Sequence, residues 1–138
     1  MNVLGKKVDG LIEKERTAFV GSIDHNGFPH IKAMLAPRVR EGLKTFYFTT
    51  NTSSVRAAQF RKDPKACVYF CDQMRFEGVL FTGTMEVLED QASKELIWRE
   101  GDTMYYPLGV TDPDYCVFRF TSSSGRYYSS FSSTSFDV

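Results

Sequence analysis

The residues best placed to do chemistry lie between Phe46 and Arg61, in the order Phe-Tyr-Phe-Thr-Thr-Asn-Thr-Ser-Ser-Val-Arg-Ala-Ala-Gln-Phe-Arg. Aromatic and β-branched residues open the stretch, which favours a strand. Small polar residues from Thr49 to Ser53 follow, and then helix formers run on to Asp63-Pro64, which stops them. Ser53 or Ser54 can cap that helix, so free backbone N–H groups gather where the strand gives way to it. Add Arg56 in the first turn, and the composition is that of a phosphate site. The competing reading is an ordinary capped helix whose arginine faces water.

Little else in the chain offers catalysis. There is no His-Glu-x-x-His, no Walker loop, no Ser-His-Asp or Cys-His set and no credible pair of carboxylates. Cys67, Cys71 and Cys116 are odd in number and form no Cys-x-x-Cys pair, which predicts reduced thiols rather than a disulfide framework or a thiolate metal site. The only histidines, His25 and His30, flank a turn, which argues against a protein-ligated metal.

The bulk properties narrow the class. At 138 residues, 42% of them apolar, the chain is long enough for one domain with a real core. Seventeen basic residues balance seventeen acidic ones with no basic block, so neither nucleic acid nor an anionic membrane is an expected partner. A small barrel stacking single-stranded nucleic acid on its aromatics is the reading this charge balance disfavours. No run is long enough to span a membrane and Met1–Asp9 lacks an apolar signal core, which predicts a cytoplasmic protein with no membrane contact.

The elements that must position the site read as follows. Leu4, Val8, Leu11 and Ile12 recur at helical spacing and predict an amphipathic helix over 3–16. Thr17–Asp24 and Pro29–Ala36 read as strands about Asn26-Gly27, the strongest short hairpin signal and one that suggests a type I′ turn. A loop bracketed by Pro37 and Glu41-Gly42 leads to a third strand, Leu43–Thr50, and then to the helix at 54–62. Ala66–Cys71 is apolar throughout, as a strand covered on both faces would be. Gly78–Glu89 is a long strand with a bend expected at Gly83, and Asp90 caps a third helix over 91–99. Met104–Asp114 reads as a loop. Tyr115–Thr121 and Arg126–Phe131 read as two strands joined through Ser-Ser-Ser-Gly, and 132–138 as a frayed tail. The class is α+β, mainly β: a six- to seven-stranded antiparallel barrel with about three flanking helices, one domain over 1–138.

The order Asn-Gly hairpin, Gly-x-Pro-x-x-Lys on the second strand, Thr-Asn-x-x-Ser-x-Arg after the third, then helix and Asp-Pro resembles the FMN-binding split β-barrels related to pyridoxamine 5′-phosphate oxidase. The segment Trp98-Arg99-Glu100-Gly101 to Tyr105-Tyr106-Pro107-Leu108-Gly109, continuing to Asp112-Pro113-Asp114, is similar to the short general-stress-protein branch of that family. The resemblance runs from about Thr17 to Tyr128. It implies FMN as cofactor, with Lys32 gripping the phosphate and the backbone of Ala33, Met34 and Leu35 running along the ring. Thr49 and Thr50 map beside the ribityl chain and ring, and Ser54, Val55 and Arg56 onto the phosphate-binding helix start. Trp98 or Tyr106 would stack on or wall the ring; the other reading of Trp98, on a short helix with Leu96 and Ile97, is plain core packing. Lys32 also sits oddly among apolar strand neighbours, as a ligand-facing charge would; its other reading is a solvent-facing lysine.

A phosphate monoester carries roughly two negative charges, and charge-assisted hydrogen bonds to it are worth roughly 1.5–3 kcal/mol each. Against the full-length oxidase, Val55 stands where a further phosphate-binding arginine occurs, Pro37 where a lysine closes the second-strand motif, and Gly78 where a glutamine contacts the flavin. The chain also ends at Val138, before the oxidase's substrate-binding Trp and Arg region. These departures argue against pyridoxamine-phosphate oxidation. The expectation is an FMN-dependent oxidoreductase acting on an unknown small molecule with a pyridine-nucleotide donor. The alternative is a non-catalytic flavin-binding stress or sensor protein. By resemblance the protein is a homodimer with flavin at the interface, and the aromatic-rich segment 104–118 suits that interface in composition. A deazaflavin or haem could occupy the same barrel, haem being disfavoured by the hairpin position of both histidines.

Overall fold

The expected apolar stripe Val8, Leu11 and Ile12 is the buried face of α1 (Val3–Lys14), whose first turn is capped by the Asn2 side-chain oxygen Oδ1 accepting from the Gly5 amide. The computed structural model describes residues 2–138. After α1 come β1 (Thr17–Ile23), β2 (Pro29–Leu35), β3 (Val39–Glu41) and β4 (Thr45–Asn51), then α2 (Val55–Lys62). The chain continues through β5 (Lys65–Asp72), β6 (Glu77–Leu88), α3 (Gln91–Ile97), β7 (Tyr115–Ser129) and β8 (Ser132–Asp137). Two single 3₁₀ turns, Asp102–Met104 and Gly109–Thr111, punctuate the segment before β7.

All strand pairs are antiparallel, in the order β2-β1-β5-β6-β7-β4-β3, with β8 also on β7. β7 takes two partners on one edge: β4 along 115–121 and β8 along 124–129. Phenylalanines fill the interior, with Phe46 edge-on to Phe81 at 5.1 Å and Phe60 of α2 edge-on to Phe118 at 5.3 Å. Such pairs add about 0.5–1.5 kcal/mol each beyond their buried area. A second cluster, Tyr47, Ile97, Tyr106, Tyr115 and Val117, packs outside the barrel against β4 and β7.

Four sequence expectations are corrected. The Ser-Ser-Ser-Gly segment is not a turn: it lies within the continuous β7, where the buried Ser122 donates its hydroxyl to the Leu43 carbonyl. The tail is not frayed over its length, because residues 132–137 pair as β8 and Phe136 packs on Phe81 at 6.0 Å, over Gly125. Residues 39–41, read as loop, form β3. The β1–β2 turn is not type I′, since Gly27 alone takes a positive φ and Asp24 organises the turn by accepting from the Asn26 and Phe28 amides. The expected bend at Gly83 is a β-bulge, where a Cβ would run into the Thr121 carbonyl oxygen. With β3 and β8 added and the two last predicted strands merged, the strands number eight.

The barrel is split. β3 covers β4 only along Thr45–Tyr47, so Phe48–Asn51 has no strand neighbour on that edge, and β2 has none on its outer edge. Ala36-Pro37-Arg38 joins the two sides, and the Arg38 amide donates to the Tyr47 carbonyl at 2.8 Å. The connection 36–38 thus leads from the open edge strand β2 toward β4, whose own edge is open beyond Tyr47.

Candidate site at the start of the second helix

Ser54 is the N-cap of α2: its backbone is extended and its hydroxyl accepts from the Ala57 amide at 3.1 Å. Helix geometry leaves the Val55 and Arg56 amides without intrahelical acceptors. The loop before them is held by Asp114. Its carboxylate accepts from Asn51 Nδ2 and from the Ser53 amide, each at 2.8 Å, and its carbonyl accepts from the Thr52 amide at 2.8 Å. The Asn51 and Ser53 donors hold the Asp114 carboxyl below the ordinary carboxylate value.

Arg56 is half-buried, and its Nε is fully buried with no hydrogen-bond partner. Burial pulls it below the ordinary arginine value. A cation held this way fits an anion, since an unpaired buried charge is costly. On the facing strand, β2, Lys32 pairs across with Val20 and His30 with Ser22, so Lys32, His30, Ser22 and Val20 share one sheet face. That is the face α2 covers. Gln59, three residues beyond Arg56 and so on its side of the helix, accepts from the Ser22 hydroxyl and lies 3.4 Å from His30 Nδ1. Asp24 holds the other ring nitrogen of His30, at 3.1 Å. Lys32 and Arg56 therefore flank one contact from the same side of the sheet, and neither joins an ion pair among the described residues.

The remaining candidates divide. Ala33 and Leu35 point to the outer face of β2, and Met34 points into the core. Thr50 is buried and Thr49 half-buried, on the open end of β4. Val55 is exposed. A cleft of about 700 Å³ between the β1–β2 turn and α2 is lined by Ile23, His25, Ser54, Val55, Gln59 and Lys62; neither Lys32 nor Arg56 lines it. The cleft therefore shares Ser54 and Gln59 with this group and contains neither cation.

Gly78 is not brought to this group within one chain. It pairs with Cys71 and Tyr128, ten residues along β6 from the Leu88–Val117 pair beside Thr49. Its missing Cβ leaves room for the Tyr69 ring. Tyr106 is 4% exposed, tilted against Tyr115 at 4.8 Å, and Trp98 is half-buried against both. Burial pushes the Tyr106 hydroxyl up to about 12, against the smaller opposing effect of Thr49. Of segment 104–118, Tyr106, Asp112 and 115–118 are buried inside the chain, and its exposed large apolar residues are Met104, Tyr105 and Leu108.

Reading the residues alone missed Asp114 as a loop clamp and Gln59 as the bridge to β1 and β2. The Asp112-Pro113-Asp114 motif was visible, but its target lies 61–63 residues away in sequence.

A split antiparallel barrel with a capped helix starting just beyond an open strand edge defines a class. Residues 4–129 match the pyridoxamine 5′-phosphate oxidase family, and the chain belongs to it. Members of that family generally bind flavin. Among solved structures, a Clostridium acetobutylicum protein related to general stress protein 26 of B. subtilis, of the pyridoxinephosphate oxidase family, is similar. It is 39% identical, covers 98% of this chain and 94% of its own, and superposes with a TM-score of 0.89. General stress protein 26 of Bacillus anthracis shares the fold at 18% identity, covering 98% of both chains with a TM-score of 0.79. A nimc/nima family protein of C. acetobutylicum does so at 17% identity, covering 96% and 91%, with a TM-score of 0.76. The comparison with curated proteins gives no match.

Proposed function

We propose that this protein binds FMN at the gap between β2 and β4 and works as a flavin-dependent oxidoreductase on a small molecule, with a pyridine nucleotide as donor. The observation that carries the reading is the half-buried Arg56, whose Nε has no partner, on the same side of the sheet as the free Lys32. In this reading Lys32, Arg56, the Ser54 hydroxyl and the free amides of α2 hold the phosphate, while the open edges at 33–35 and 49–50 flank the ring. Bound flavin supplies hydride and single-electron transfer, so the chain need only bind it, orient it and limit access.

The outer face of β2 supports a homodimer. Ile31 and Leu35 are 75% and 58% exposed there, and the face continues over Phe19 and Tyr69 to Gly78. Exposed apolar residues on an edge strand call for a cover. A second copy packed on this face brings its Gly78 toward the β2 edge that Gly78 does not reach within one chain.

One observation favours the non-catalytic sensor reading. A proton donor beside the flavin would be Tyr105, Tyr106, water or the substrate, and of these Tyr106 is buried, which pushes its hydroxyl up to about 12. The exposed Tyr105, water or the substrate is then the proton source if turnover occurs.

The test is the visible spectrum of the purified protein and the identity of the chromophore that denaturation releases. Yellow protein releasing FMN supports the reading; colourless protein that takes up no added FMN overturns it. Bleaching by NADH or NADPH, with reoxidation by an acceptor, supports the enzyme, and failure with both nucleotides leaves the sensor.

A further inference from the structure

The Asp112-Pro113-Asp114 segment has so far no part in the function, yet it makes the contacts that set where α2 begins. Asp114 binds three consecutive residues of the loop: the Asn51 side chain, the Thr52 amide and the Ser53 amide. Ser54 follows directly, its own amide donating to the Asn51 carbonyl at 3.0 Å. The clamp is itself braced. Asp112 accepts from the Asp114 amide at 2.9 Å and the Leu108 amide at 3.1 Å, and its carbonyl accepts from the ammonium of the buried Lys94. The carbonyl of Lys94 in turn accepts from the hydroxyl of the fully buried Tyr115. Contacts thus run from α3 through Lys94, Asp112 and Asp114 to the helix start.

We propose that Asp114 is the positioning residue of the anion site, setting the Ser54 hydroxyl and the free Val55 and Arg56 amides in register with Lys32. This rests on the reading above that an FMN phosphate occupies that site. By taking up the Thr52 and Ser53 amides, the clamp also leaves the first turn of α2 as the backbone donor set for the ligand. A merely structural clamp would weaken every ligand of the fold alike. A positioning clamp weakens those that carry the phosphate.

The test titrates FMN and riboflavin into the parent and into Asp114→Ala and Asp114→Asn, with thermal melting recorded for each. Asp114→Asn keeps an acceptor for the Ser53 amide, but its own amide group opposes Asn51, so it preserves the fold if alanine does not. The expected result is an FMN Kd raised about tenfold or more in the variant that folds, with riboflavin affinity changed less than about twofold. Equal losses for both ligands, or an FMN Kd like the parent's in both variants, overturns the assignment while leaving FMN binding intact. A parent that binds FMN no better than riboflavin removes the phosphate site, and the clamp's role with it.

Discussion

Arg38 and Asp102 meet in a two-pronged ion pair, Nη1 to Oδ2 at 2.9 Å and Nη2 to Oδ1 at 2.7 Å, with side chains 10% and 5% exposed. Arg38 Nη1 also donates to the Ile97 carbonyl, the Arg99 amide donates to Asp102, and the Arg99 guanidinium donates to the Arg38 carbonyl. The pair ties the segment after α3 to the connection between the two open strand edges.

Arg38 holds the Asp102 carboxyl below the ordinary carboxylate value of 3.8. A carboxylate whose pKa is lower in the folded state stabilises the fold above its unfolded value, and that contribution is lost as pH falls through the folded value. Asp102→Asn should lower stability at neutral pH by about 3 kcal/mol, because it strands a mostly buried arginine. Denaturant melts of parent and variant should draw together as pH falls below about 3.8 and meet only below the lower value at which the folded Asp102 takes its proton. Curves parallel at all pH values would show that the charge of Asp102 is not what matters.

Two glycines should respond oppositely to alanine. Gly10 lies in the middle of α1 with open space where a Cβ would be, so Gly10→Ala should stabilise by about 0.5–1 kcal/mol. At Gly83 the same change drives a methyl into the backbone of Thr121 and Ser122 and should cost about 1–3 kcal/mol. Paired thermal melts decide both.

How far the sequence could be read is visible in such places. The caps at Ser54 and Asp90, the buried stripe of α1 and the bulge at Gly83 were legible because each depends on residues close in the chain. β3, the unbroken β7 and β8 were not. Ser122 and Ser123 look like turn residues, yet Ser122 pairs with Gly83 and reaches Leu43, while Ser123 is the extra residue of the bulge, its hydroxyl donating to the Thr82 carbonyl. At the candidate site, the residue types of Ser54, Arg56 and Lys32 drew attention in the sequence, but the side of β2 that faces α2 depends on the β1–β2 register and on Gln59. Trp98 suits wall or core equally in the sequence, and its packing on Tyr106 and Tyr115 could not be read there because those partners are 8 and 17 residues on.

Phe136 anchors the last strand on Phe81 and over Gly125. Being half-buried, its loss should cost less than a fully buried ring, about 2 kcal/mol for Phe136→Ala. Faster amide exchange along 132–137, with β4 unaffected, would mark the effect as local to β8.

Arg56 should carry opposing demands. Arg56→Met keeps the length and removes a half-buried charge without a partner, so the flavin-free protein should gain up to about 1 kcal/mol while losing most of its FMN affinity. A variant that is less stable and still binds FMN would make Arg56 a packing residue.

The most direct measurement is an FMN titration of the flavin-stripped parent against Lys32→Ala/Arg56→Ala. Loss of two charge-assisted bonds predicts a Kd raised about 10²–10⁴-fold with melting behaviour close to the parent's. A double variant that folds and holds FMN as tightly as the parent would contradict the account.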